Sequence, residues 1–260
     1  MGVETVLITG ASSGIGLELA RCFAADGSSL VLVARNRVAL ESLASELRTT
    51  HNIQARVQTA DLARPEASAQ LFATMQTAGV HIDVLVNNAG FGAQGRFSEL
   101  PIERQVEMIQ VNVTALAHLS RLFLPGMIER HRGGVLNIAS TAGFQPGPGM
   151  AVYYATKAFV LSFTEAVAEE VAGSGVTVTA FCPGSTTTNF AEAANAHFSS
   201  GFKKSAMSAE SVARAGHRAF RAGRVVAIPG LRNRLLAFAV RLTPRTIVRK
   251  IAKHLNAVSQ

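Results

Sequence analysis

Tyr153 and Lys157 stand four positions apart, and Ser140 precedes the tyrosine by thirteen. A tyrosine hydroxyl titrates near ~10 and is a poor acid or base at neutral pH. A lysine ammonium at i+4 shares its helix face and favours the phenolate by its charge. A serine hydroxyl delivered from another element can hold the oxygen of a carbonyl. Together these types and spacings read as a proton-transfer site for carbonyl and alcohol chemistry. A tyrosine and a lysine at this spacing are also common on amphipathic helices, so the pair alone decides little. Tyr154 competes as the acid, but the residue four beyond it is Ala158, which supplies no cation.

A second constellation opens the chain. In VLITGASSGIG the apolar run Val6, Leu7 and Ile8 passes into Thr9, Gly10, Gly14 and Gly16, and a helical stretch follows from Leu17 to Ala25. A buried strand feeding a glycine-rich turn and a helix is a dinucleotide-binding arrangement. Gly10 permits the sharp turn, Gly14 lets a diphosphate approach the backbone, and Gly16 lets the helix pack closely on the strand. The phosphates then meet the positive end of the helix. The spacing GxxxGxG departs from the commoner GxGxxG, and a glycine loop can also be a plain strand-to-helix turn.

The elements that must position these residues alternate along the chain. Short β-branched apolar runs at 3–9, 29–34, 53–59, 82–87, 134–139, 176–182 and 225–228 read as strands. Segments of helical periodicity fall at 14–26, 37–50, 65–78, 103–130, 151–173 and 208–222. This alternation predicts an α/β fold with a parallel sheet and crossover helices. Residues 184–207 are the least regular stretch, long for a connection, and read as a lid or substrate loop with Phe190, His197, Phe198 and Phe202 as apolar contacts; an ordinary surface helix and loop is the plainer reading. Ser208 reads as the N-cap of the next helix, with Glu210 in its first turn.

TGASSGIG, the NNAG at Asn87–Gly90, Asn112 in VNVTA, Ser140, YYATK and the pair Pro183–Gly184 occur in the order of the short-chain dehydrogenase/reductase family. The chain resembles that family over about residues 3–230. The resemblance implies a Rossmann-type, doubly wound seven-stranded parallel sheet of order 3-2-1-4-5-6-7, with helices on both faces and the ligand at the carboxyl ends of the strands. It implies one catalytic domain over 1–230, with 231–260 as a helical extension. It also implies a tetrad: Tyr153 as acid/base, Ser140 on the substrate oxygen, Lys157 lowering the phenol and binding the nicotinamide ribose, and Asn112 holding a water that links Lys157 to solvent. Cofactor contacts carried over the same way are Gly10, Ser12, Ser13, Gly14, Ile15, Gly16, Asp61 and Leu62 near the adenine, Asn87, Ala89 and Gly90 along the middle, and Pro183, Gly184 and Thr188 at the nicotinamide. Thr186 and Thr187 lie close enough to leave Thr188 open, and Asn87 can equally make a structural bond at a strand end.

The second strand ends LVLVARNR, so Ala34 stands where an acidic residue would accept from a ribose 2′-hydroxyl, and Arg35 follows. Arg35 can pair bidentately with a 2′-phosphate, with Arg37 and Ser13 assisting. The expected cofactor is therefore NADP(H), although a solvent-facing arginine at a strand end needs no ligand.

A chain of 260 residues, 48% apolar, suffices for one large core. Cys22 and Cys182 suggest neither a disulfide framework nor a zinc site and read as buried thiols of a reducing compartment. No basic leader precedes the first strand and no run of about eighteen apolar residues occurs, so the expectation is a cytoplasmic protein without a span. The net charge of +8 is uneven: residues 1–202 hold 12 Lys/Arg against 16 Asp/Glu, and 203–260 hold 13 against Glu210 alone. In 231–242, Leu231, Leu235, Phe238 and Leu242 share a face; Thr243–Pro244 reads as N-cap and N1 of a further helix carrying Ile247, Val248, Ile251 and Leu255. Such basic amphipathic helices can pack on the domain or a second subunit, lie on an anionic membrane, or capture an anionic substrate such as an acyl-CoA. No aromatics are interleaved with the charges, which argues against nucleic acid. The partners expected are a small apolar carbonyl or alcohol and a second copy, a homodimer or homotetramer formed through helices 103–130 and 151–173.

Overall fold

Residues 3–194 and 206–256 are described by the computed structural model of the chain. The apolar runs become seven parallel strands: β1 Thr5–Thr9, β2 Ser29–Ala34, β3 Ala55–Thr59, β4 Val84–Asn87, β5 Gly134–Ile138, β6 Thr177–Phe181 and β9 Val226–Ala227. Their order is β3-β2-β1-β4-β5-β6-β9, the expected topology. The two-residue strands β7 (Thr186–Thr187) and β8 (Met207–Ser208) pair with each other outside the sheet.

Side chains on successive strand residues point to opposite faces, and both faces are covered. Val6 and Ile8 enter one core with Leu19, Phe23, Phe181 and Phe220. Leu7 enters the other with Leu85, Leu119, Phe123 and Met127. The first core is closed by α1 (Gly14–Ala25), α2 (Arg37–His51) and α8 (Ala209–Arg221); α3 (Ala67–Thr77) lies over the second.

The helix expected at 103–130 runs from Ile102 to Glu129 as α4 (Ile102–Ile109), a π-helical turn (Gln110–Ala115) and α5 (Leu116–Glu129). It is long and apolar enough by composition to cross a membrane, with a mean hydropathy of 1.2 over its best window. Here it is the crossover between β4 and β5, and Val111, Ala115, Leu119, Phe123 and Met127 face the core. The π turn is a finding that periodicity did not anticipate; it falls on Asn112, and such turns are frequent at functional sites.

After β5 comes a 3-10 turn (Thr141–Phe144) and then α6 (Ala151–Glu170), which carries Tyr153 and Lys157. The irregular stretch after β6 contains β7 and the short α7 (Phe190–Ala193); His197, Phe198 and Phe202 lie outside the described residues. Ser208 caps α8 as expected, its hydroxyl accepting from Ser211 N at 3.2 Å. The next expected cap is corrected. In α9 (Leu231–Leu242) and α10 (Arg245–Leu255) the residue before the second helix is Pro244. Thr243 donates backwards to Ala239 O at 2.8 Å and so closes the first helix. Cys182 is buried, but Cys22 is only half-buried, contrary to expectation.

Candidate active site

The carboxyl end of β1 opens into the glycine loop. Gly10 and Gly14 have φ of +65° and +56°, the left-handed region where a side chain is strained. Gly16 is needed for closeness: a Cβ there would stand 2.3 Å from both Gly10 O and Asn88 Nδ2. Asn88 holds the loop, donating to Thr9 O at 2.9 Å and Gly10 O at 3.1 Å. The Thr9 hydroxyl reciprocates, accepting from Asn88 N and Ala89 N, both at 3.0 Å. Sequence reasoning missed Asn88 as the loop's tie; its one signal was the doubled asparagine of NNAG.

The loop suits a diphosphate. Ser13, at the N-cap of α1, is extended and makes no side-chain cap bond among the described residues, and the first turn carries no acid. The amino end of the helix thus presents its first N–H groups and positive dipole to an anion. Thr188 leans over this end, its Cγ2 lying 3.2 Å from where a Gly14 Cβ would be. Ser12 and Ile15 are half-buried beside the loop, and Ser13 is exposed. Arg35 follows β2 with its side chain 70% exposed, and its Glu107 contact is long at 3.8 Å. An exposed pair of that length is weak, so the guanidinium can turn to a phosphate. Arg37, also exposed, lies 3.7 Å from Glu41. After β3, Asp61 accepts from Ala63 N at 3.2 Å, and Leu62 beside it is buried. These residues fit a dinucleotide bearing a 2′-phosphate.

Asn87 does something other than line the loop. Its buried amide donates to Asn137 Oδ1 at 2.9 Å and Ser120 Oγ at 3.0 Å, tying β4 to β5 and α5. Its Oδ1 finds no partner among the described residues. The structural reading of Asn87 holds for its side chain, because the amide is turned into the interior. Ala89 and Gly90 continue the rim; a Cβ on Gly90 would lie 3.0 Å from Asn112 Oδ1 and 3.6 Å from Lys157 Nζ. Glycine leaves room for the Asn112 carboxamide oxygen, while the Lys157 ammonium stands at ordinary contact distance.

Asn112 is almost wholly buried and clamps the chain at Phe91. Its Oδ1 accepts from Phe91 N at 3.1 Å and its Nδ2 donates to Phe91 O at 2.9 Å. The same Nδ2 reaches Thr156 Oγ1 at 3.1 Å, and that hydroxyl donates to Tyr153 O at 2.7 Å. The π turn thus connects to the backbone of the Tyr153 helix through Thr156, another residue sequence reasoning passed over. Its only signal was its place between Tyr153 and Lys157.

Ser140, two residues past β5 at the cap of the 3-10 turn, accepts from Ala142 N at 3.1 Å while its hydroxyl reaches Pro183 O at 3.4 Å. Burial pushes the Tyr153 phenol up to about 12, and the Ser140 hydroxyl draws it back down. The Lys157 ammonium donates to Ile138 O at 2.7 Å and lies 5.9 Å from the centre of the Tyr153 ring. Burial lowers Lys157 to about 8. Burial is the largest influence on the phenol here, and the ammonium is turned to the end of β5. Phe190 lies 5.1 Å from the Tyr153 ring, centre to centre. Phe190 and Met150 both crowd Gly92, where a Cβ would stand 2.7 Å from Phe190 Cζ and 3.2 Å from Met150 Cε. Gly184 follows Pro183 and lies against Asn233 of α9, whose Nδ2 a Cβ would approach to 2.6 Å.

Tyr154 faces away from this chemistry. Its hydroxyl exchanges hydrogen bonds with the Asn256 side chain at 3.2–3.3 Å, and Gln94 Nε2 donates to Asn256 O at 3.4 Å. The C-terminal extension is thereby fastened to the rim beside Tyr153.

A doubly wound sheet with a glycine loop at β1 and a Ser–Tyr–Lys cluster at the ends of β5 and α6 defines a class of nucleotide-dependent oxidoreductases. The short chain dehydrogenase family model matches residues 4–198. The chain belongs to that family and is an oxidoreductase. It is 38% identical over 199 residues to a putative ketoacyl reductase of Streptomyces coelicolor, covering 75% of this chain and 76% of that one. It is 33% identical over 186 residues to the very-long-chain 3-oxoacyl-CoA reductase of Homo sapiens, covering 69% of this chain and 58% of that one. Among solved structures, it resembles a short-chain dehydrogenase from Sphingobium yanoikuyae in complex with NADPH, with a TM-score of 0.83 and 33% identity, over 99% of this chain and 97% of that one.

Proposed function

We propose that the protein is an NADP(H)-dependent oxidoreductase that interconverts an apolar ketone and a secondary alcohol, with Tyr153 as its acid/base. The observation that carries the reading is the meeting of Ser140, Tyr153 and Lys157 beside a glycine loop with an uncapped helix end. Gly10, Ser12, Ser13, Gly14, Ile15 and Gly16 hold the diphosphate, and Arg35 holds the 2′-phosphate. Asp61 and Leu62 meet the adenine. Ala89, Gly90 and the Asn87 backbone line the middle, and Pro183, Gly184 and Thr188 hold the nicotinamide end. The NADPH complex of the Sphingobium relative supports this coenzyme.

When bound, NADPH supplies the hydride, and NADP+ accepts it in the reverse direction. As charge grows on the carbonyl oxygen, the Tyr153 phenol gives that oxygen its proton and Ser140 hydrogen-bonds it. Burial keeps the phenol protonated at neutral pH, and the Ser140 hydroxyl acts against that shift and eases the loss of its proton. Lys157, near Tyr153 and lowered to about 8, is a cation that can share its proton at neutral pH, and it binds the ribose. Asn112 keeps the π turn and the Tyr153 helix in register through Thr156 and serves the water path to Lys157.

Phe190 and the Tyr153 ring give the substrate an apolar wall. A 3-ketoacyl thioester is the second reading, favoured by the two ketoacyl-reductase relatives and by the basic C-terminal segment. A second copy would pair through α4 and α6, where Ile102, Val106, Ile109 and Phe159 are exposed. The reading is tested by following NADPH and NADH oxidation over bulky ketones, hydroxysteroid-type ketones and 3-ketoacyl thioesters. Turnover of at least one with NADPH well ahead of NADH is expected. Equal use of NADH would overturn the role of Arg35, and no turnover of any carbonyl would overturn the ketone reading.

A further inference from the structure

Helices α9 and α10 are docked by a few small or polar residues and leave most of their large apolar side chains uncovered. Ala237, Val248 and Ala252 are buried, Asn233 lies against Gly184, and Asn256 is tied to Tyr154. On the other side, Leu231, Leu235, Phe238 and Leu242 recur at i, i+4, i+7 and i+11, a single stripe along α9. All four are exposed, Phe238 by 60% and Leu242 by 73%, as are Leu236 and, on α10, Ile247 and Ile251. Val248, which the sequence places with Ile247 and Ile251, is instead turned inward.

Charge accompanies this surface. Residues 231–260 carry seven Lys/Arg and no Asp or Glu. On α9 the arginines flank the stripe: Arg232 falls to one side of it, Arg234 and Arg241 to the other, by helical spacing. Long basic side chains beside an apolar stripe can lay their stems along the apolar surface and keep their charges in a layer of anions.

We propose that the outer face of α9 and α10 docks on an anionic lipid bilayer, with Asn233 and Asn256 holding the catalytic rim directly behind it. Exposed apolar area of this extent marks an interaction surface, and its one-signed charge selects the occupant. A two-fold pairing of this face with itself would bring seven cations from each copy together with no carboxylate between them, whereas a surface of acidic phospholipid is complementary in both charge and apolarity. The inference goes beyond the redox reading and stands without it, since docking is read without turnover.

The test is co-sedimentation of the full chain with vesicles of phosphatidylcholine alone and of phosphatidylcholine mixed with phosphatidylserine, at low and high salt. Alongside it, the molar mass of the lipid-free protein is followed by light scattering. Partition at least about tenfold stronger onto the mixed vesicles, weakened by salt, is expected. The exposed double variant Leu235→Asp/Phe238→Asp should lose it while keeping the wild-type melting temperature and molar mass. Equal partition onto both vesicles, or none onto either, overturns the proposal. So does a double variant that still binds vesicles, or one whose molar mass falls to that of a smaller oligomer, which would assign the face to a second copy.

Discussion

Tyr153 and Lys157 carry opposite consequences of the same burial. Desolvation disfavours whichever form is charged, so the phenol is pushed up to about 12 and the ammonium falls to about 8. Both shifts must appear in stability. Between about pH 8 and 10.5 the folded chain has released the Lys157 proton that the unfolded chain keeps, so stability rises with pH. Above about pH 10 the unfolded chain loses a phenol proton that folded Tyr153 retains, and stability falls. Urea denaturation of wild type and Lys157→Met between pH 7 and 10 checks the first sign: the wild type should gain on the variant as pH rises from 8 towards 10. A constant gap would contradict the buried-ammonium account. At this scale the nearness of Ser140, Tyr153 and Lys157 was legible from the motifs and the family they resemble. Thr156 and the Tyr154–Asn256 bond were not, since a contact across 102 residues leaves no trace in local spacing.

At the scale of elements, β1 and its loop are held less by their own residues than by the segment after β4. Asn88 bonds two loop carbonyls, and Thr9 returns two bonds to the same segment. The glycines complement this tie, and Gly16 is the tightest point. A Cβ there would meet backbone oxygen and amide nitrogen at 2.3 Å, so Gly16→Ala should destabilise by about 1–3 kcal/mol and weaken NADPH binding. Thermal melts with and without NADPH check this; an unchanged melting temperature would mean the close approach is not constraining. Strand and helix positions were legible because alternating apolar runs and glycine punctuation are local signals; the sheet order followed from the family resemblance and is the one observed. The π turn was not: it leaves hydrophobic periodicity nearly intact, and what it decides is the aim of Asn112 onto Phe91. The cap at Thr243 was misjudged because a threonine hydroxyl can serve either helix end, and here it bonds Ala239 O.

As a whole molecule the protein divides by charge as well as by fold. Residues 1–202 carry net negative charge, and the whole excess of cations follows Phe202. The family match ends at residue 198, while the Sphingobium structure aligns over 99% of this chain; α9 and α10 lie against the rim through Asn233 and Asn256. That placement sets the extension beside the rim at Tyr154 and Gly184, while Lys157 is anchored to the end of β5. The account therefore rests on Tyr153, whose ring meets Ser140, Lys157 and Phe190. The most direct test is single-turnover reduction of a ketone by Tyr153→Phe with bound NADPH. The account predicts a rate at least about 100-fold below wild type with NADPH affinity nearly unchanged. A variant that keeps wild-type turnover would contradict it.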